Sequence, residues 1–181
     1  MYKFLVAICF VCTIHQDQDY DSTIIWNSNY RLQWKDFKST KRTTSNERAA
    51  AVTASGISFG FSAKQTKTRL LSYDYHVISH FYPEKSWYFK GKENNVILEH
   101  ERLHFDITEL FARKLRKRIE NTTFTLNIKN EMNTLNRQIN EELKEFQEQY
   151  DSETQHSIRL EAQKKWEKDV ALQLMRLNYY K

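Results

Sequence analysis

Residues 96–119 read VILEHERLHFDITELFARKLRKRI, and this stretch decides both the fold and the chemistry. It contains neither glycine nor proline, and Ile97, Leu103, Ile107, Leu110, Phe111, Leu115 and Ile119 recur at helical spacing. That period predicts an amphipathic helix. Asn94 or Asn95 can cap its start. Arg113, Lys114, Arg116, Lys117 and Arg118 crowd the last turns, where cations oppose the helix dipole.

Within this helix, His100-Glu101-Arg102-Leu103-His104 is an H-E-x-x-H motif. Residues four apart project from one helix face, one turn above each other. Both imidazoles can therefore grip one metal ion. Glu101 falls beside the open metal position, where a carboxylate can take a proton from bound water. These are the parts of a zinc hydrolase, most often a peptidase. The plainer reading is a half-buried helix whose histidines only form hydrogen bonds.

Zinc (Zn2+) needs a third protein ligand, with water as the fourth. The metzincin continuation is excluded, because it requires glycine at position 107 and histidine at 110, where this chain has Ile107 and Leu110. Glu120, Glu131, Glu141 and Glu142 lie downstream, and nothing around them singles one out. His156 is the one histidine after the motif. Residue spacing leaves the glutamates and His156 open as alternatives.

The residues also resemble a known family. Residues 98–116, LEHERLHFDITELFARKLR, are similar to the helix of an uncharacterised bacterial family, domain of unknown function number nine hundred and twenty-two, whose members are described as secreted zinc-dependent proteases. Residues 32–37 (LQWKDF) resemble its opening L-x-W-x-D-F segment, 49–61 (AAAVTASGISFGF) its following strand, and 81–87 (FYPEKSW) the segment before the helix. Tyr150-Asp151-x-x-Thr154-x-His156 resembles the closing Y-D-x-x-T-x-H-G pattern, followed by Gln163 and Trp166. The resemblance implies His100, His104 and His156 as zinc ligands and Glu101 as catalytic base. Ser157 stands where the pattern has glycine, and a positive φ there would strain a serine.

The amino terminus has the layout of a secretory signal peptide: Lys3, then an apolar run over residues 4–12, then polar residues. Residues 1–18 are read as the signal and 19–181 as a single zincin-like metalloprotease domain, secreted or periplasmic, and membrane-anchored if the leader stays uncleaved. The apolar run is too short to span a bilayer stably. Cys9 and Cys12 both fall in the leader, so the mature chain is expected to lack disulfides and thiolate ligands. A net charge of +5 is only mildly basic, and no nucleic-acid fold signature is present. The expected partner is a peptide or protein substrate, without nucleic acid and without stable membrane insertion of the mature chain. The oligomeric state is not legible.

Strand-like segments precede the motif helix. Ile24-Ile25-Trp26 is apolar, residues 31–34 alternate, and 50–62 and 70–81 alternate around a polar turn at 64–68, which predicts an antiparallel hairpin. Residues 39–48 read as a loop. His76 and His80 share a strand face but stand too far apart to chelate easily. A second helix is predicted over 125–150 and a third over about 158–177, each with one apolar stripe that suits packing on a core. The fold class is therefore α+β: a small antiparallel sheet, the H-E-x-x-H helix, and two further long helices, zincin-like in order. An exposed sheet edge beside such a helix can bind an extended peptide through its main chain.

In the mechanism this predicts, zinc on His100, His104 and His156 activates water, Glu101 shuttles the proton, and Tyr150 steadies the oxyanion. Asp106 and Glu109 read first as solvated helix carboxylates, with orientation of a ligand histidine as the alternative. The rival reading is a non-catalytic, metal-stabilised periplasmic or surface interaction protein, for which Glu101 would have no purpose.

Overall fold

The computed structural model describes residues 23–40 and 49–181. The leader at 1–18, with His15, Cys9 and Cys12, and most of the polar loop before Ala49 lie outside the described residues.

The described chain is α+β. Strands β1 (Ile24–Ile25), β2 (Ala51–Val52), β3 (Ser55–Gln65), β4 (Leu70–Phe81) and β5 (Trp87–Tyr88) precede helices α1 (Asn95–Glu120), α2 (Ile128–Thr154) and α3 (Leu160–Arg176). One antiparallel sheet has the order β1-β4-β3, and a second antiparallel pair joins β2 to β5. The expected hairpin is β3–β4, with Phe59 opposite Val77 and Gly56 opposite His80. Its strands run further than the polar residues suggested: β3 continues to Gln65, and Thr66 closes the turn by bonding Arg69. A Cβ at Gly60 would lie 2.3 Å from the imidazole of the exposed His76 across the ladder, so any larger residue there has to displace that side chain.

The alternation at 31–34 does not produce a strand. The chain instead enters a short 3-10 helix, Trp34–Asp36, and Leu32 is buried against α1 with its carbonyl taking the Arg102 Nε proton. Hydrophobic alternation here records packing onto a helix rather than sheet pairing.

Helix α1 runs through the middle of the fold. The Asn94 side chain caps it by accepting from the Ile97 amide. One face lies on the β3–β4 hairpin and the other on α2 and α3, so Ile107, Leu110, Leu115 and Ile119 are wholly buried. The stripe on α2 (Ile128, Met132, Ile139, Leu143, Tyr150) closes this core, as do Trp166 and Val170 of α3. A second apolar cluster of Leu32, Phe37, Phe81, Leu98 and Phe105 seats the beginning of α1. Among the described residues no helix is long and apolar enough to cross a membrane.

The charges buried around Glu109 on α1 are matched. Glu109 accepts from Ser79 Oγ at 2.6 Å, Arg113 Nε at 2.9 Å and Arg116 at 3.2 Å. Removing one partner of such a network strands the others in a poor solvent. Glu109→Ala is expected to lower the unfolding free energy by about 3 kcal/mol, measured by denaturant titration; a change within about 0.5 kcal/mol, as for an ordinary surface site, would contradict this reading of the network.

Candidate metal centre

The helical period brings His100 and His104 together, and packing of α2 across α1 adds a third donor. The two Nε2 atoms lie 3.3 Å apart. Oδ1 of Asp151 is 2.9 Å from His100 Nε2 and 3.0 Å from His104 Nε2. These three residues form a possible metal-binding triad, with their donor atoms all within 4.8 Å of one another. Asp151 stands on α2 because that helix continues to Thr154, four residues beyond the end its apolar stripe suggests.

His156 sits at the lip of the same pocket, half-exposed, with Nδ1 3.5 Å from Asp151 Oδ1. It falls outside the convergent triad. The four downstream glutamates are engaged elsewhere: Glu120 with Tyr75, Glu131 with Thr125, Glu141 with Arg137 and Glu142 with Arg118. Asp106 accepts from Trp26 and Arg31, and Glu109 from Ser79 and two arginines, so the bonds of both lead away from the histidines. His80 bonds Ser58 on the sheet.

Tyr150 is wholly buried. Its ring stacks on His100 with centroids 4.5 Å apart and meets His104 edge-on at 5.0 Å. Its hydroxyl turns to the His100 carbonyl at 3.4 Å, and the ring is not part of the pocket wall. Burial, then the charge of Glu101, pushes the phenol up, so it stays neutral. The structure therefore places Tyr150 as a wall behind the imidazoles rather than at the open side expected of an oxyanion donor.

A hydrogen-bond chain fixes His104. Thr108 Oγ1 donates to the His104 carbonyl, leaving its lone pairs for Gln147 Nε2 at 3.2 Å and Ser55 Oγ at 2.7 Å. That turns Gln147 Oε1 toward His104 Nδ1 at 3.2 Å. An amide oxygen accepts, so Nδ1 carries a proton; Nε2, which faces Asp151 and His100, donates to Asp151 when the ring is doubly protonated and is the nitrogen left for a metal when it is not. Gln147 and Asp151 are one turn apart on α2, which is why both reach the same imidazole.

The electrostatics follow from burial and pairing. Burial pushes Asp151 up, but hydrogen bonds from His100 and His104, with their charges, hold its carboxyl well below the usual range. Burial also pulls His104 down, yet the Asp151 hydrogen bond and charge outweigh it and raise the imidazole. His100 is lowered, chiefly by burial.

The pocket beside the triad has a volume of about 220 Å3 and is lined by residues 49–53, Ile97, His100, Glu101, His104, Gln147, Asp151, His156 and Ser157. Thr53 Oγ1 donates to the Glu101 carbonyl at 3.1 Å, tying that wall to the motif. Glu101 is buried, and its Oε2 has no hydrogen-bond partner. An orphaned carboxylate oxygen in a buried cleft is costly and points to a ligand or a reaction.

Residues 16–157 match the family model described as bacterial protein of unknown function (DUF922). The chain belongs to this family. Helix α3 lies beyond the matched residues of DUF922. No curated protein and no solved structure matches the chain.

The turn after α2 carries the departure from the pattern. Gln155, His156 and Ser157 all have positive φ, of 50°, 51° and 73°. Each left-handed L-residue is strained by roughly 1–2 kcal/mol. Ser157→Gly is therefore expected to stabilise the protein by on the order of 1 kcal/mol, read as a raised denaturation midpoint; an unchanged or lowered midpoint would show that the turn is relaxed.

A second test uses pH on the metal-free protein. Asp151 is depressed, so its contribution is present above the ordinary aspartate value and fades as pH falls. His104 is raised, so its share is present below the ordinary histidine value and fades as pH rises. The stability gap between wild type and Asp151→Asn should be widest near about pH 5 and narrow on both sides. A pH-independent gap would contradict the pairing.

Proposed function

We propose that this protein is a secreted zinc metallopeptidase with a zincin-like site. The observation that carries the reading is the convergence of the His100, His104 and Asp151 donors beside a buried, unpartnered Glu101 oxygen in an open pocket. Ligand atoms on a tetrahedral zinc ion with bonds of about 2.0–2.1 Å are about 3.3 Å apart. The His100–His104 separation of 3.3 Å fits, and the carboxylate at 2.9–3.0 Å is close to it. Two imidazoles and one carboxylate are also a donor set used by catalytic rather than structural zinc. Among the described residues, His100, His104 and Asp151 would hold the ion, with His156 at the rim.

When bound, zinc would supply Lewis acidity, lowering the pKa of water and polarising a carbonyl. The chain supplies the rest. Glu101 takes the proton from the attacking water and passes it to the leaving amine. Gln147 holds the His104 tautomer, and Tyr150 fixes the plane of the His100 ring. Residues 49–53, which include strand β2, line one side of the pocket, a wall suited to an extended peptide main chain. The buried Glu101 oxygen argues against a purely structural metal site, which needs no proton acceptor.

Glu101→Gln should keep zinc, measured by elemental analysis of the dialysed protein, and lose about 10²–10⁴-fold of its hydrolysis of a denatured, dye-labelled protein. Retained zinc with full hydrolysis would sink the mechanism. Zinc bound with no hydrolysis by the wild type would favour the metal-stabilised interaction protein.

A further inference from the structure

The carboxyl-terminal ends of α1 and α3 meet in an open groove of about 600 Å3. Lys114, Lys117 and Arg118 line it from α1, Gln173 and Arg176 from α3, and Leu177 follows. No carboxylate lines it among the described residues. Arg118 is matched by a two-pronged pair with Glu142, at 2.7 and 2.6 Å. Lys114, half-buried, lies with its ammonium 4.0 Å from the Phe111 ring centroid. Lys117 and Arg176 are exposed, and neither forms an ion pair among the described residues.

Helix dipoles account for cations at each helix end. They do not account for what lies beside them. Leu172, Met175 and Tyr179, spaced three and four apart, are 38%, 66% and 85% exposed. Arg176 lines the groove and is the last residue of α3, directly after Met175. A free phosphate or a nucleic acid would engage the cations and leave the apolar row idle. A surface that offers anionic headgroups above an apolar layer engages both.

We propose that this end of the molecule docks on a bilayer rich in anionic phospholipid. Lys114, Lys117 and Arg176 meet headgroup phosphates, and Leu172, Met175 and Tyr179 enter the headgroup–acyl boundary. The binding is peripheral, with no helix crossing. Helix α3 has 17 residues, hence a length of about 25 Å, and it begins just after the Ser157 turn at the metal pocket. Docking by its far end leaves the pocket away from the lipid, open to substrate.

The test is co-sedimentation of the full chain with vesicles of phosphatidylcholine alone or with about one third phosphatidylglycerol. Neutral vesicles set the baseline from any other apolar segment. Wild type should bind the anionic vesicles more tightly. Lys117→Glu with Arg176→Glu should weaken that binding by about tenfold or more, and Met175→Ser with Tyr179→Ser should weaken it several-fold. Lys90→Glu with Lys92→Glu changes net charge equally at the other end of α1 and should have little effect. Circular dichroism checks that each variant is folded. Equal loss in the two charge-reversal pairs, no preference for anionic vesicles, or displacement by inorganic phosphate beyond that caused by sodium chloride of equal ionic strength would overturn the proposal.

Discussion

The ring of Tyr150, packed flat on His100 and edge-on to His104, is the contact on which the rest of the site depends. A helix period alone puts two imidazoles on one face. It does not decide their rotation or supply a third donor. Packing Tyr150 into the core does both, because the next residue along α2 is Asp151 and the residue three before is Gln147. A single buried aromatic thus sets the rotation of α2 about its axis, and with it the positions of a carboxylate and an amide at the His100 and His104 nitrogens.

Such a site is expensive to build. Two imidazoles and the carboxylates of Asp151 and Glu101 are taken wholly or partly out of water, and only part of the cost is offset by mutual hydrogen bonds. His100 Nδ1 and Glu101 Oε2 are buried without partners. The chain after Asp151 adds three left-handed residues in a row. His80 Nδ1 and Gln163 Oε1 elsewhere in the fold also lack hydrogen bonds, but among the described residues only at this pocket do such atoms coincide with a run of left-handed residues, the pattern of strain and unmatched polarity that marks a functional site.

Much of this was legible in the sequence. The α+β order, the hairpin, an asparagine cap at 94 or 95, the core face of α1 and the His100–His104 pair all follow from period and residue type. Asp151 was visible only as a letter in the Y-D-x-x-T-x-H pattern. Its stripe ends at Tyr150, so period gave no reason to extend α2 to Thr154, where a polar face is needed to reach the histidines. The direction of the Tyr150 hydroxyl, the Gln147–Thr108–Ser55 chain and the partners of Asp106 and Glu109 depend on how distant segments meet. No local pattern encodes them. Residues 31–34 misled for a related reason: alternation marks a half-buried extended chain whether it pairs with a strand or lies on a helix.

The central claim is that His100, His104 and Asp151 together hold a divalent metal. X-ray absorption spectroscopy at the zinc edge, on protein loaded with one equivalent of zinc, tests it most directly. The account predicts two imidazole nitrogens and one carboxylate oxygen at about 2.0–2.2 Å, with a light-atom solvent ligand completing the shell. A shell of three imidazoles unchanged by Asp151→Ala, or hydrated zinc with no imidazole scattering, would contradict it.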